Sequence, residues 1–66
     1  MILLRQEREK KGLSQSELAR KSGVKQQNIS QIESGDNQNP GIATMHALAV
    51  ALGCDLQDLY VPETAQ

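Results

Sequence analysis

Apolar residues recur at helical spacing along most of the chain, and glycines interrupt the pattern. In the first segment Leu4 and Arg8 stand one turn apart on one face of a helix predicted over residues 2–11. Gly12 stops it after Lys10 and Lys11, cations that suit a helix C-terminus. Leu18 and Ala19 mark one face of a second helix over 15–22, closed by Gly23. Ser14 is its N-cap, and Glu17 three residues later completes a capping box. Val24, Ile29 and Ile32 form the inward stripe of a third helix, over about 26–34, closed by Gly35. Lys25 takes that helix's N-cap site, where it caps poorly and leaves the first turn less rigid. The loop over 35–41 is rich in breakers. Ile42, Met45, Leu48, Ala49 and Leu52 then recur over 42–52, up to Gly53. Asp55 caps a last short helix over 56–60, Pro62 terminates it, and residues 63–66 are expected to fray. The pattern predicts one all-α domain of five helices over residues 1–62, with a tail at 63–66.

The third helix is unusual on its polar side. Gln26, Gln27, Ser30 and Gln31 fall together opposite Ile29 and Ile32. A helix that only covers a core more often carries Lys and Glu there. Neutral amides and hydroxyls suit the edges of DNA bases: Gln bonds adenine bidentately through N6 and N7, and Ser serves either base type. Two short helices joined by one tight turn at Gly23, the second bearing such a face, match the geometry that places a helix in the major groove.

These residues carry a family resemblance. The segment over 12–35 resembles the helix-turn-helix of the Cro and phage-repressor (XRE-type) DNA-binding proteins. The family's Gln at the start of the first motif helix, its Ala four on, its Gly four further and its aliphatic residue six beyond correspond to Gln15, Ala19, Gly23 and Ile29. Leu18, Val24 and Ile32 continue the apolar framework, so seven positions fall in register. The run from Asn39 to Tyr60 resembles the family's fourth and fifth helices, which extends the resemblance over about residues 2–60. The resemblance implies a repressor-like fold and a phosphate-side contact at Gln15. It also implies a partly buried ion pair between Arg8 and Glu33 that ties helix 1 to helix 3.

Composition bounds what such a domain can be. A 66-residue chain is a single small domain, burying only about 60% of its unfolded surface. With no Trp or Phe and one Tyr, its core must be aliphatic. One cysteine excludes an internal disulfide and a Cys-rich zinc site; Cys54 is expected as a small core residue. His46 stands alone, without a second ligand at metal spacing, and is expected exposed. No metal, cofactor or small-molecule ligand is implied. No stretch approaches the ~20 apolar residues of a membrane span, and the opening Met1-Ile2-Leu3-Leu4 is too short for a signal peptide, so a soluble cytoplasmic protein is expected. No nucleophile triad, phosphate loop or carboxylate pair can be assembled, and an enzyme is not expected.

Charge is distributed unevenly. The net charge is −1, but all seven basic residues lie at or before Lys25, and with three acids that part carries +4. Residues 26–66 hold five acids and no base. Such asymmetry points to an electrostatic partner. A helix N-terminus suits a phosphate, which places Ser14 and Gln15 on the backbone side, although capping is Ser14's main role. The loop after helix 3, where relatives often carry Lys or Arg, has Asp36 and amides. Phosphate contacts are therefore assigned to backbone N–H groups, Arg20, Lys25, Asn28, Asn37 and Asn39. Glu7 replaces a residue that is often apolar in helix 1, thinning the core at that edge.

The expected function is sequence-specific binding of double-stranded DNA by a homodimeric transcriptional regulator, a repressor, with helix 3 in the major groove. One such domain makes few base contacts, and dimerisation doubles them. With helix 3 on DNA and helices 1 and 2 flanking it, the partner subunit is expected at the far edge, on Leu56, Leu59, Tyr60 and Val61. The rival reading is an antitoxin or protein-interaction module on the same fold, against which the expectation of little chain beyond the fold counts.

Overall fold

A computed structural model describes residues 2–60. Among these residues the chain forms α1 (Leu4–Lys10), α2 (Gln15–Ser22), α3 (Gln26–Ser34), α4 (Ile42–Leu52) and a single 3-10 turn, Leu56–Leu59. Both ends of α2 are closed by local chemistry. Ser14 Oγ accepts from the Glu17 N–H at 3.1 Å, and the Glu17 carboxylate accepts from the Ser14 N–H at 2.8 Å. Gly23 takes the left-handed conformation (φ 78°), and its N–H bonds the Ala19 carbonyl at 2.9 Å. A side chain there is disfavoured, so glycine allows α3 to follow α2 with only three residues between them.

The core is aliphatic. Leu4 of α1, Leu18 of α2, Ile29 and Ile32 of α3, Met45, Leu48, Ala49 and Leu52 of α4, and Leu59 of the 3-10 turn are all buried. Each large member contributes about 1.5–3 kcal/mol by leaving water. Ala19, Val24, Cys54 and Leu56 pack around them, half-buried. α2 lies between α3 and α4 in this packing and so sets where α3 sits.

Three details differ from the sequence expectation. Residues 2 and 3 do not join helix 1. Ile2 instead forms an antiparallel bridge with Tyr60, and the Leu3 N–H donates to the Leu59 carbonyl at 2.7 Å. At a helix start these N–H groups lack intrahelical partners, so the opposite segment competes for them. The fifth helix is one 3-10 turn rather than an α-helix. Asp55 stands at its N-cap, the Asp58 carboxylate accepts from the Asp55 N–H at 3.1 Å, and Tyr60 departs extended (φ −124°, ψ 142°). Leu59 is fully buried, which removes it from the expected dimer surface: the turn carries it under α4. Val61, Pro62 and the expected tail at 63–66 lie outside the described residues.

Ile42 shares the core-facing register of α4 yet is 69% exposed, because the core ends at Met45, three residues further on. Glu7 ends half-buried, its carboxylate 3.1 Å from Lys10 Nζ. Burial pushes the thiol of half-buried Cys54 up, and the charges of Glu7 and Asp58 push it further. A thiol held protonated in this way is a packing group rather than a nucleophile.

Candidate nucleic-acid interface

The site is the outer face of α3 with its surroundings. Ile29 and Ile32 face the core, which leaves Gln26, Gln27, Asn28 and Ser30 exposed and Gln31 half-buried. All five sit on one nine-residue helix, and none of them is charged. Ser16, on α2, donates to Gln26 Oε1 at 3.3 Å, an orienting contact that sequence reasoning missed. It joins residues ten apart across the turn, and nothing in the local pattern marks it.

Beneath this face a polar network joins three helices. Arg8 of α1 meets Glu33 of α3 in a bidentate pair, with Nε to Oε2 at 2.8 Å and Nη2 to Oε1 at 3.0 Å. Arg8 Nη1 also donates to the Leu13 carbonyl at 2.8 Å. From α2, Gln15 Nε2 donates to Glu33 Oε1 at 3.0 Å. The two charged side chains keep 11% and 5% of their surface exposed, so the pair is largely desolvated. The Glu33 hydrogen bond holds the Arg8 guanidinium above its ordinary range. For Glu33, burial raises the pKa, but the hydrogen bonds from Arg8 and Gln15 with the Arg8 charge outweigh it and the net shift is downward.

The residues assigned to phosphate occupy different settings. Gln15 is half-buried, with one amide N–H committed inward to Glu33. Ser14 is exposed, but its hydroxyl and N–H both serve the capping box. Arg20 and Lys25 are exposed at either side of the turn. In the loop, Asn37 Oδ1 accepts from the Asn39 N–H at 3.1 Å, and the Asn37 N–H donates to the Gln31 carbonyl at 3.0 Å. The loop is thereby fastened to the end of α3.

Residues 4–59 match the profile of a family described as helix-turn-helix. The chain belongs to this helix-turn-helix family. Its solved relatives include the N-terminal DNA-binding domain of SinR from Bacillus subtilis. That structure superposes with a TM-score of 0.84 at 33% identity, covering 92% of this chain and 88% of that one. An uncharacterised HTH-type transcriptional regulator of Sinorhizobium fredii, y4dJ, is 42% identical over 55 residues, 83% of this chain and 70% of that protein. An uncharacterised HTH-type transcriptional regulator of Methanothermobacter thermautotrophicus is 37% identical over 60 residues, 89% of this chain and 86% of that protein. Within the helix-turn-helix frame, α2 and α3 are the two motif helices, Gly23 is the turn, and the amide face of α3 is the motif's outward surface. No helix among the described residues is long and apolar enough to cross a membrane.

Proposed function

We propose that this chain is a sequence-specific double-stranded DNA-binding transcriptional regulator that acts as a repressor in the cytoplasm, binding as a homodimer with α3 in the major groove. The observation that carries the reading is the uncharged face of α3, presented outward while Arg8, Glu33 and Gln15 brace the helix from behind. Gln26, Gln27, Ser30 and Gln31 read base edges, and Arg20, Lys25, Asn28, Asn37 and Asn39 meet the phosphate backbone. Bracing matters because base discrimination needs side chains held in one geometry before contact.

The dimer edge is revised by the burial of Leu59. Among the described residues of that edge, Leu56 is half-buried and Tyr60 exposed, beside a groove of about 550 Å³ lined by Ile2, Ile32, Gly35, Gln38 and Tyr60 among others. A second copy fills it: Tyr60 joins an apolar ring to a polar tip, a type enriched at interfaces.

Selection from random duplexes followed by sequencing tests the function and yields the operator. Gln26→Ala or Gln27→Ala then costs ~1–3 kcal/mol on the selected operator and much less on random duplex. Equal losses on both DNAs overturn base reading by these residues. Recovery of no preferred sequence overturns the proposal as a whole.

A further inference from the structure

Where α1, α2 and α3 meet, a second hollow of about 180 Å³ is lined by Arg5, Arg8, Gln15, Ser30, Glu33 and Ser34. Ser30 belongs to it and to the outward face of α3, so the hollow is continuous with that face. Its charges do not balance. Arg8 and Glu33 cancel each other in their bidentate pair, which leaves Arg5. The Arg5 side chain is 66% exposed, and its carboxylate neighbour is Glu9, one turn on, at a long 3.4 Å with 59% of its own side chain exposed. Such a contact between exposed groups is weak and exchanges readily for a stronger anion. The neutral lining offers donors for that anion in the Ser30 hydroxyl and the second N–H of the Gln15 amide. The Ser34 hydroxyl is turned away, bonding the Gln31 carbonyl at 3.2 Å. At ~30 Å³ for each water, the volume accommodates one phosphate group with bridging waters.

We infer that this hollow seats a backbone phosphate of the bound duplex, with Arg5 as its counter-charge. The inference rests on the reading of α3 as the DNA-facing helix. It supplies a cation that the loop after α3 lacks. The loop after α3 carries Asp36 and no base, so cationic contact on that side comes from α1 instead. Arg8 lies one turn from Arg5 and is occupied by Glu33, Leu13 and the core edge, whereas Arg5 is free to turn outward. An arginine suits the task, because its guanidinium meets phosphate through two parallel N–H bonds.

The test uses the full chain and compares the parent, Arg5→Gln, Arg5→Lys and Glu9→Gln on the selected operator and on random duplex at several salt concentrations. Arg5→Gln is expected to weaken both DNAs by the same factor. It should also reduce the slope of log K against log salt by ~0.9 for each bound protomer. Arg5→Lys restores the slope, and Glu9→Gln, which releases Arg5, tightens binding to both DNAs. The inference is overturned if Arg5→Gln stays folded by circular dichroism with an unchanged slope, or if it loses affinity on the operator alone. Should Arg5→Gln fail to fold, Glu9→Gln decides, and unchanged affinity there overturns the inference. A parent chain that binds no duplex overturns the functional reading and this contact together. A parent that binds normally while the Arg5 variants behave like it removes only the contact.

Discussion

At the scale of single residues the Arg8–Glu33–Gln15 network is the most consequential feature. No buried side-chain nitrogen or oxygen among the described residues lacks a hydrogen-bond partner. Desolvating two charges offsets much of their attraction, so the pair sets the angle between α1 and α3 more than it adds stability. Losing one partner is a different matter. Glu33→Ala strands the guanidinium in a desolvated site and is expected to cost ~3–5 kcal/mol. A domain of this size has only ~3–10 kcal/mol in total, at 0.05–0.15 per residue. Urea titration should therefore find the variant largely unfolded, while Arg8→Met combined with Glu33→Leu loses far less; equal losses in the two would refute this account. The pH dependence follows from the same network. Glu33 sits below its unfolded value, so its contribution is complete above the ordinary carboxylate range and is lost as pH falls through the lowered native value. Glu17, lowered by its bonds with Ser14, acts with the same sign. Thermal melts should show stability falling on acidification in the parent and falling less steeply in Glu33→Gln.

At the scale of elements, α2 and α3 are capped unequally. α2 begins with a complete capping box, whereas α3 begins at Lys25, whose side chain makes no cap although its backbone (φ −63°, ψ 140°) has N-cap geometry. A cation at this end also opposes the helix dipole. Lys25→Ser places a hydroxyl within reach of the first free N–H groups of α3. It is expected to stabilise the fold by ~1 kcal/mol, which at this chain length raises Tm by ~4–8 °C. The same change removes a cation proposed to meet phosphate and should weaken binding to operator and random duplex alike. Calorimetry and a filter-binding titration check the two halves separately. A Tm that does not rise would mean that the first turn of α3 is already satisfied by other groups.

At the scale of the molecule, the chain joins a basic N-terminal part to a core-forming α4 that has no Asp, Glu, Lys or Arg. Cationic contact is thus limited. If Arg5, Arg20 and Lys25 of each protomer meet one phosphate apiece, a dimer's salt slope is about −5, at ~0.9 per phosphate. Titrations from low to moderate salt measure it directly, and a slope near −10 would place many more bases on the DNA than this surface offers. The proposed dimer edge is the one where Ile2 and Tyr60 pair with each other. Tyr60→Ala is expected to keep its helices by circular dichroism, lower the sedimenting mass and lose cooperative binding to a palindrome. Unchanged mass and cooperativity would place the partner on another face.

Much of this was legible in the chain because it is locally encoded. The capping box of Ser14 and Glu17, the left-handed turns at Gly23 and Gly35, and the apolar stripe of α3 each depend on residues within one or two turns, and α2, α3 and α4 occur with their predicted bounds. The polar face of α3 followed from the same stripe, since a helix that buries Ile29 and Ile32 must expose what lies opposite. What the sequence alone did not reveal depends on segments far apart in the chain. Ile2 and Leu3 leave their helix because residues 59 and 60 supply bonds that no neighbour within a turn can reveal. Leu59 and Ile42 are both aliphatic at plausible core positions, yet one is fully buried and the other exposed, since only the assembled helices determine where the core ends. Gln15 bonds inward to Glu33, eighteen residues away, and Arg5 borders a hollow shared by three helices. Helical periodicity states which face a residue occupies. Which neighbour that face meets is decided by tertiary packing, because that is where the competing hydrogen bonds and contacts come from.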